Sequence, residues 1–276
     1  MTIVYFGLDV VLQGWIIESL CPWEGEKLLR PKISLMQANV EKQNEQTSRV
    51  AYYFRYWKET FFSICIFGAL QFLVMTIVAS FFYTGGSHLD PYYNGYTFVW
   101  NYVSDLGRTY SLSGNKNLIS RIMFSSTVTI AGLSVILYCV AFTHNFKLKT
   151  IPILRIIPLI FGILYGLDYI LIAYLPVDIF TTAHNFCVLL SCFLKLVTYI
   201  FLIVLMIKDQ GYSNIYAYIL IFQSVLLLLF GIVMLFALRN IIPFTPTCIT
   251  GQKVLFYLEA VIFTIQAFGA LRYKDQ

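Results

Sequence analysis

Six long apolar runs dictate what this 276-residue chain can become. They cover residues 61–83, 122–142, 156–175, 180–207, 215–238 and 254–271. A helix of about 20 apolar residues crosses the hydrocarbon layer of a bilayer. Inside lipid, each backbone group must bond within its own helix or within a closed barrel. The six runs do not alternate polar and apolar residues as barrel strands do, so they are read as helices. The expected fold class is all-α, a polytopic transmembrane helical bundle of six spans.

Composition supports this solvent. Hydrophobic residues make up 59% of the chain and charged residues 12%, against about a quarter charged in soluble domains. The formal charge is +5, but most of the cations fall between the apolar runs. Orientation in a membrane accounts for such loop charge, so membrane lipids are the expected partners and nucleic acid is not. The six cysteines show no Cys-x-x-Cys spacing and mostly lie within apolar runs, where packing is their expected role.

Three regions are expected: an N-terminal cytoplasmic or interfacial segment over 1–59, the six-helix domain over 60–272 and a short tail over 273–276. The stretch MTIVYFGLDVVLQGWII lacks the basic start and small-residue cleavage site of a secretory signal. Residues 3–17, carrying Asp9 and Gln13, are read as a short amphipathic or interfacial helix. Residues 18–59 are largely polar and mixed in charge.

Lys and Arg set the expected orientation. Lys27, Arg30, Lys32, Lys42, Arg49, Arg55, Lys58, Lys147, Lys149, Arg155, Lys208, Arg272 and Lys274 fall on one side of a six-span topology. Arg108, Lys116, Arg121, Arg239 and Lys253 fall on the other. Thirteen against five places both termini in the cytoplasm, and the cell membrane is the expected location. Arg155, near a cytoplasmic helix end, is expected to snorkel to the headgroups.

On that topology two polar connections share the outer side. WNYVSDLGRTYSLSG begins at residue 100, between the first and second runs, and LPVDIFTTAHN joins the third and fourth. Asn101, Ser104 and Asp105 come from the first, and Asp178, His184 and Asn185 from the second; His88 and Asp90 precede them in GSHLDP. The Ser-Asp-x-Gly unit has a structural reading: Ser104 or Asp105 bonds turn amides or caps a short helix, and Gly107 supplies a positive φ. It also has a functional reading, with Ser104, Asp105 and His184 as catalytic candidates and Asn101, Asp178 and Asn185 as lipid- or ligand-binding candidates. His88, Asp105 and His184 are candidate metal ligands by residue type, provided the loop folds back. No cofactor is assigned.

Asp168, Lys195 and Glu259 lie within spans. A lone charge at the bilayer centre costs about 2.5–3.5 kcal/mol on insertion scales, so partners are expected. Helical rise makes a pairing of Lys195 with Asp168 or Glu259 reasonable. Such a cluster serves either as an ion pair fixing helix register or as the floor of a polar cavity, and the three residues join the ligand-binding candidates.

NYVSDLG before one span and LPVDIFTTAHN entering another resemble the multi-span membrane family called domain of unknown function 998. The matching residues are Asn101, Ser104, Asp105 and Gly107, then Pro176, Asp178 and His184. The turn is also similar, more faintly, to that of autophagy-modulator and GPI-remodelling membrane proteins. The resemblance covers roughly residues 60–271. It implies that the two motifs form a site on one face, and it carries no established reaction.

Three functions remain open. One is an outward polar site that binds or acts on lipid headgroups. Another is a membrane-embedded lipid hydrolase or acyltransferase, although no Gly-x-Ser-x-Gly or His-Glu-x-x-His is present. The third is a small transporter using Asp168, Lys195 and Glu259, for which Pro158, Gly162 and Gly166 hint at a broken helix.

Overall fold

Among the described residues, each apolar run lies within a helix long and apolar enough to cross a membrane, apart from two residues at the C-terminal edge of the first and one residue at an edge of each of the third and fourth. The computed structural model describes residues 42, 56–146, 152–238 and 246–273. The helices are α1 Tyr56–Phe81, α2 Leu118–Asn145, α3 Ile153–Tyr174, α4 Thr181–Lys208, α5 Asn214–Leu238 and α6 Pro246–Arg272. No strand occurs among the described residues. The chain is an integral membrane protein by this architecture. The helix expected over 3–17 lies outside the described residues, as do Lys27, Arg30, Lys32, Arg49, Arg55, Lys147, Lys149, Arg239 and Lys274.

The helices are apolar on every side, as lipid solvent requires. On α1, Phe62, Cys65, Ala69, Phe72, Thr76 and Ala79 are buried, at spacings of three and four. Phe67, Leu70, Val74, Ile77 and Phe81 are exposed on the other faces. Such a surface would be untenable in water.

Residues 58–276 form one compact unit. Neighbouring helices run antiparallel. Lys58 Nζ bonds His144 O, Cys65 Sγ bonds Ser134 O and Gln71 Nε2 bonds Thr127 O, so α2 descends as α1 rises. Small residues let α2 and α3 approach: a Cβ on Gly132 would meet Gly166 O at 2.5 Å, and one on Gly166 would meet Gly132 O at 2.5 Å. Backbone-to-backbone contact of this kind is how membrane helices gain dispersion energy. Gly162 likewise admits Cys139. Pro158, Gly162 and Gly166 therefore do not break the third span; α3 is one continuous helix. Arg155 lies at the start of α3, where its Nε donates to Thr143 O at 2.9 Å and satisfies the end of α2.

α6 touches all five other spans, with Phe263 against Tyr138 of α2 and Gln266 Nε2 donating to Tyr216 O of α5. Its Tyr257 hydroxyl meets Thr76 of α1, and Glu259 meets Tyr165 of α3 and Lys195 of α4. One end of the unit is closed by rings, with Phe142, Phe146, Tyr212 and Tyr273 in mutual contact. Residues 82–117 cover the other end.

Candidate functional site

Residues 82–117 form a folded cap. Its centre is a short 3-10 helix, Val103–Gly107, within the NYVSDLG motif. Val103 and Leu106 enter the core beside Phe72, Phe124 and Ala260. Asp105 is 1% exposed. Its Oδ2 accepts the Tyr102 N–H at 2.7 Å, which caps the helix start. His88 Nε2 lies 3.1 Å from the same oxygen, and an Arg108 guanidinium nitrogen 3.4 Å from Oδ1. Both carboxylate oxygens are therefore engaged in the cap.

Asn101 is wholly buried and also structural. Its Nδ2 donates to Gly86 O at 2.9 Å, and its Oδ1 accepts the N–H and hydroxyl of Thr97 at 2.9 and 3.0 Å. Gly107 departs from expectation. Among the described residues the positive-φ glycines are Gly85, Gly86, Gly95 and Gly114, and Gly107 is not one of them. Its lack of a side chain serves close approach, because a Cβ there would lie 2.4 Å from the Phe124 ring. Two phenols of the cap itself stay neutral. Burial pushes Tyr83 up to about 12 and Tyr96 well above its ordinary value.

The second motif meets the first through Asp178. Its carboxylate accepts the N–H of Thr109 at 3.0 and 3.1 Å and that of Tyr110 at 3.0 Å. The two connections expected to share a face thus touch. Asn185 does not join them, because it is exposed. Asp90 is exposed too, with its Oδ1 on the Tyr92 N–H.

Ser104 is the motif residue left for chemistry. It lines a cavity of about 60 Å³ beneath the cap, with His184, Ser191 and Lys195 of α4 and Gln252 of α6. The three α4 residues are spaced by seven and four, which sets them on one helix face. His184 is 3% exposed, and its Nδ1 lies 2.7 Å from Leu175 O. A carbonyl only accepts, so the proton sits on Nδ1 and Nε2 carries the lone pair. Ser191 donates its hydroxyl proton to Asp168 Oδ2. Asp168 is 3% exposed, and its Oδ1 has no partner.

Lys195 pairs with Glu259 rather than with Asp168. The ammonium lies 2.5 Å from Glu259 Oε2, while Glu259 Oε1 accepts the Tyr165 hydroxyl at 2.5 Å. The rings of Tyr165, Tyr169 and Phe256 surround Lys195 at 5.4–5.9 Å, distances at which their faces attract a cation. Glu259 and Tyr165 line a second cavity of about 60 Å³, which shares Phe72, Tyr169 and Phe256 with the first. The ion pair therefore stands between the two.

The candidate metal ligands are only partly united. His88 meets Asp105, whereas His184 bonds Leu175 O, and no group of three His, Cys, Asp or Glu is placed to hold a metal among the described residues. Lys253 also departs from expectation. It lies inside α6, fully buried, and donates to the carbonyls of Phe98 and Thr97 above the Tyr96 and Phe98 rings. Gln252 was not singled out from the sequence either. Its signal is position: a polar residue two places before the sixth apolar run, within helix α6.

Comparison with family models, with curated proteins and with solved structures gives no match.

Proposed function

We propose that this multi-pass membrane protein binds the polar end of a lipid or lipid-like amphiphile in the cavity beneath the cap. The observation that carries the reading is the cavity itself: Ser104, His184, Ser191, Lys195 and Gln252 converge on it, and the rest of its lining is mainly apolar. Intramembrane polar groups are expensive, and their gathering on one wall is a functional pointer. Small-molecule sites combine an apolar surround with a few placed polar groups, and this cavity has that form. The likeness of NYVSDLG and LPVDIFTTAHN to the family called domain of unknown function 998 supports placing the site at this end. The excess of Lys and Arg on the opposite side supports an outward cap in the cell membrane.

The test is crosslinking with a photoactivatable lipid, followed by mapping of the labelled residues. Labels on α4 and α6 near Val188 and Gln252, lost in Val188→Trp, are expected, since Val188 lines the cavity. Labelling confined to the exposed faces of the helices would overturn the proposal. Impermeant thiol labelling of Tyr92→Cys in a cysteine-free background reads the orientation, because Tyr92 is 93% exposed.

A second reading rests on Ser104 and His184 lining one cavity. With its lone pair on Nε2, His184 carries the kind of base that a Ser104 nucleophile would need. A fluorophosphonate probe labelling Ser104, but not Ser104→Ala or His184→Ala, would support hydrolase or acyltransferase chemistry. The transporter reading would need substrate flux in liposomes that depends on Lys195 and Glu259.

A further inference from the structure

We infer that the ligand's head is uncharged and rich in hydroxyl groups, such as a glycerol or sugar, and carries neither phosphate nor carboxylate. This rests on the cavity-binding reading and names the chemistry of that same site.

The cations at and near the cavity are already engaged. Lys195 is the cationic residue of Lys or Arg type on the cavity wall, and its charge is already met by Glu259. Its remaining flanks face Tyr165, Tyr169 and Phe256. An entering anion would compete with Glu259 for Lys195, and would place a second negative charge beside a buried carboxylate whose other partner is the Tyr165 hydroxyl. Breaking a buried pair by removing one partner is strongly unfavourable. Two nearby cations, Lys253 of α6 and Arg108 of the cap, are engaged elsewhere. Lys253 is held by the Thr97 and Phe98 carbonyls, and Arg108 by Asp105 and Tyr110 O.

The remaining polar atoms include several acceptors, beside the Ser104 hydroxyl and the Gln252 amide nitrogen, which can donate. Gln252 Oε1 is buried without a partner. His184 offers the Nε2 lone pair, because its Nδ1 proton is committed to Leu175 O. Ser191 spends its own proton on Asp168 and retains its oxygen lone pairs. Behind it, Asp168 Oδ1 is also unpartnered. A wall rich in acceptors, with a few donors among them, is satisfied by hydroxyl groups, which both donate and accept. Hydroxyl groups donate without bringing charge into a low-dielectric site, whereas an anion would face these lone pairs. An ammonium would also donate, but it would bring a charge into the low-dielectric site.

The test is native mass spectrometry of the full-length protein, titrated with two probes that share one acyl chain: monooleoylglycerol and oleoyl lysophosphatidate. At least tenfold tighter binding of the glycerol lipid is expected. Gln252→Leu, close to the original in shape, should weaken it about tenfold while leaving the melting temperature near wild type. Equal or tighter binding of the lysophosphatidate to the wild-type protein would overturn the inference, whatever the variant does. Glycerol-lipid binding unchanged by Gln252→Leu would overturn it as well. Failure of both probes to bind, together with photolabelling confined to the lipid-facing surfaces, would instead overturn the cavity-binding reading beneath it.

Discussion

Asp178 holds the backbone N–H of Thr109 through both carboxylate oxygens, at 3.0 and 3.1 Å, across 69 positions of sequence. The contact joins the connection between α3 and α4 to the strap that leads from the 3-10 helix into α2. Charge-assisted bonds to backbone amides are among the stronger hydrogen bonds in proteins. Asp178→Ala would leave the Thr109 and Tyr110 amides without this acceptor, at a loss of about 1–3 kcal/mol. The expected result is faster amide exchange at Thr109 and Tyr110, with the helices of the bundle still protected. Unchanged exchange there would show that the cap is held by other contacts.

Gly107 and Phe124 make a second, steric prediction. A methyl at 107 would lie 2.4 Å from the Phe124 ring, and the 3-10 helix would have to lift or the ring to turn. Overpacking of this kind costs about 1–3 kcal/mol. Gly107→Ala should therefore lower the melting temperature, and adding Phe124→Leu should restore much of the loss. A double-mutant cycle in detergent measures the coupling. If the two losses simply add, the glycine is required for some other reason.

These two positions show how much the residues disclosed before the structure did. Hydropathy located all six spans, because lipid imposes one rule on every backbone group. The meeting of the two polar motifs was also legible, since a six-span topology puts both connections on one side. What each residue does was not. Gly107 resembled a turn glycine, but its role depends on Phe124, seventeen positions away. Asp168 and Glu259 were equivalent partners for Lys195 by helical rise alone; side-chain packing across α3, α4 and α6 chose Glu259. Lys253 was counted as a loop charge because the apolar run starts at 254, yet α6 begins at Pro246 and carries it inside.

The Lys195–Glu259 pair predicts an asymmetry between single and double variants. Lys195→Met leaves a carboxylate in the bundle with only the Tyr165 hydroxyl, and Glu259→Leu leaves an ammonium among rings. Each should cost about 3–5 kcal/mol, as removing one member of a buried pair does. The combined variant removes both charges and their desolvation, so it should be more stable than either single variant. Thermal unfolding of the three purified proteins reads this directly. A double variant less stable than both singles would mean that the pair contributes more than mutual neutralisation.

Lys253 supplies the other anchor of the cap, from α6. Its ammonium donates to the carbonyls of Phe98 and Thr97, and it lies 4.5 and 5.0 Å from the Phe98 and Tyr96 ring centroids. Burial disfavours a lone ammonium, so the carbonyls and ring faces must together replace its water. Lys253→Met keeps the unbranched stem and removes the charge, which separates anchoring from packing. The variant should release residues 96–98 to faster amide exchange while Thr109 and Tyr110 remain held by Asp178. The reverse variant, Asp178→Ala, should release 109 and 110 and leave 96–98 protected. Release of both segments by either variant would instead show that the cap opens as one unit, with the cavity beneath it gated by both anchors together.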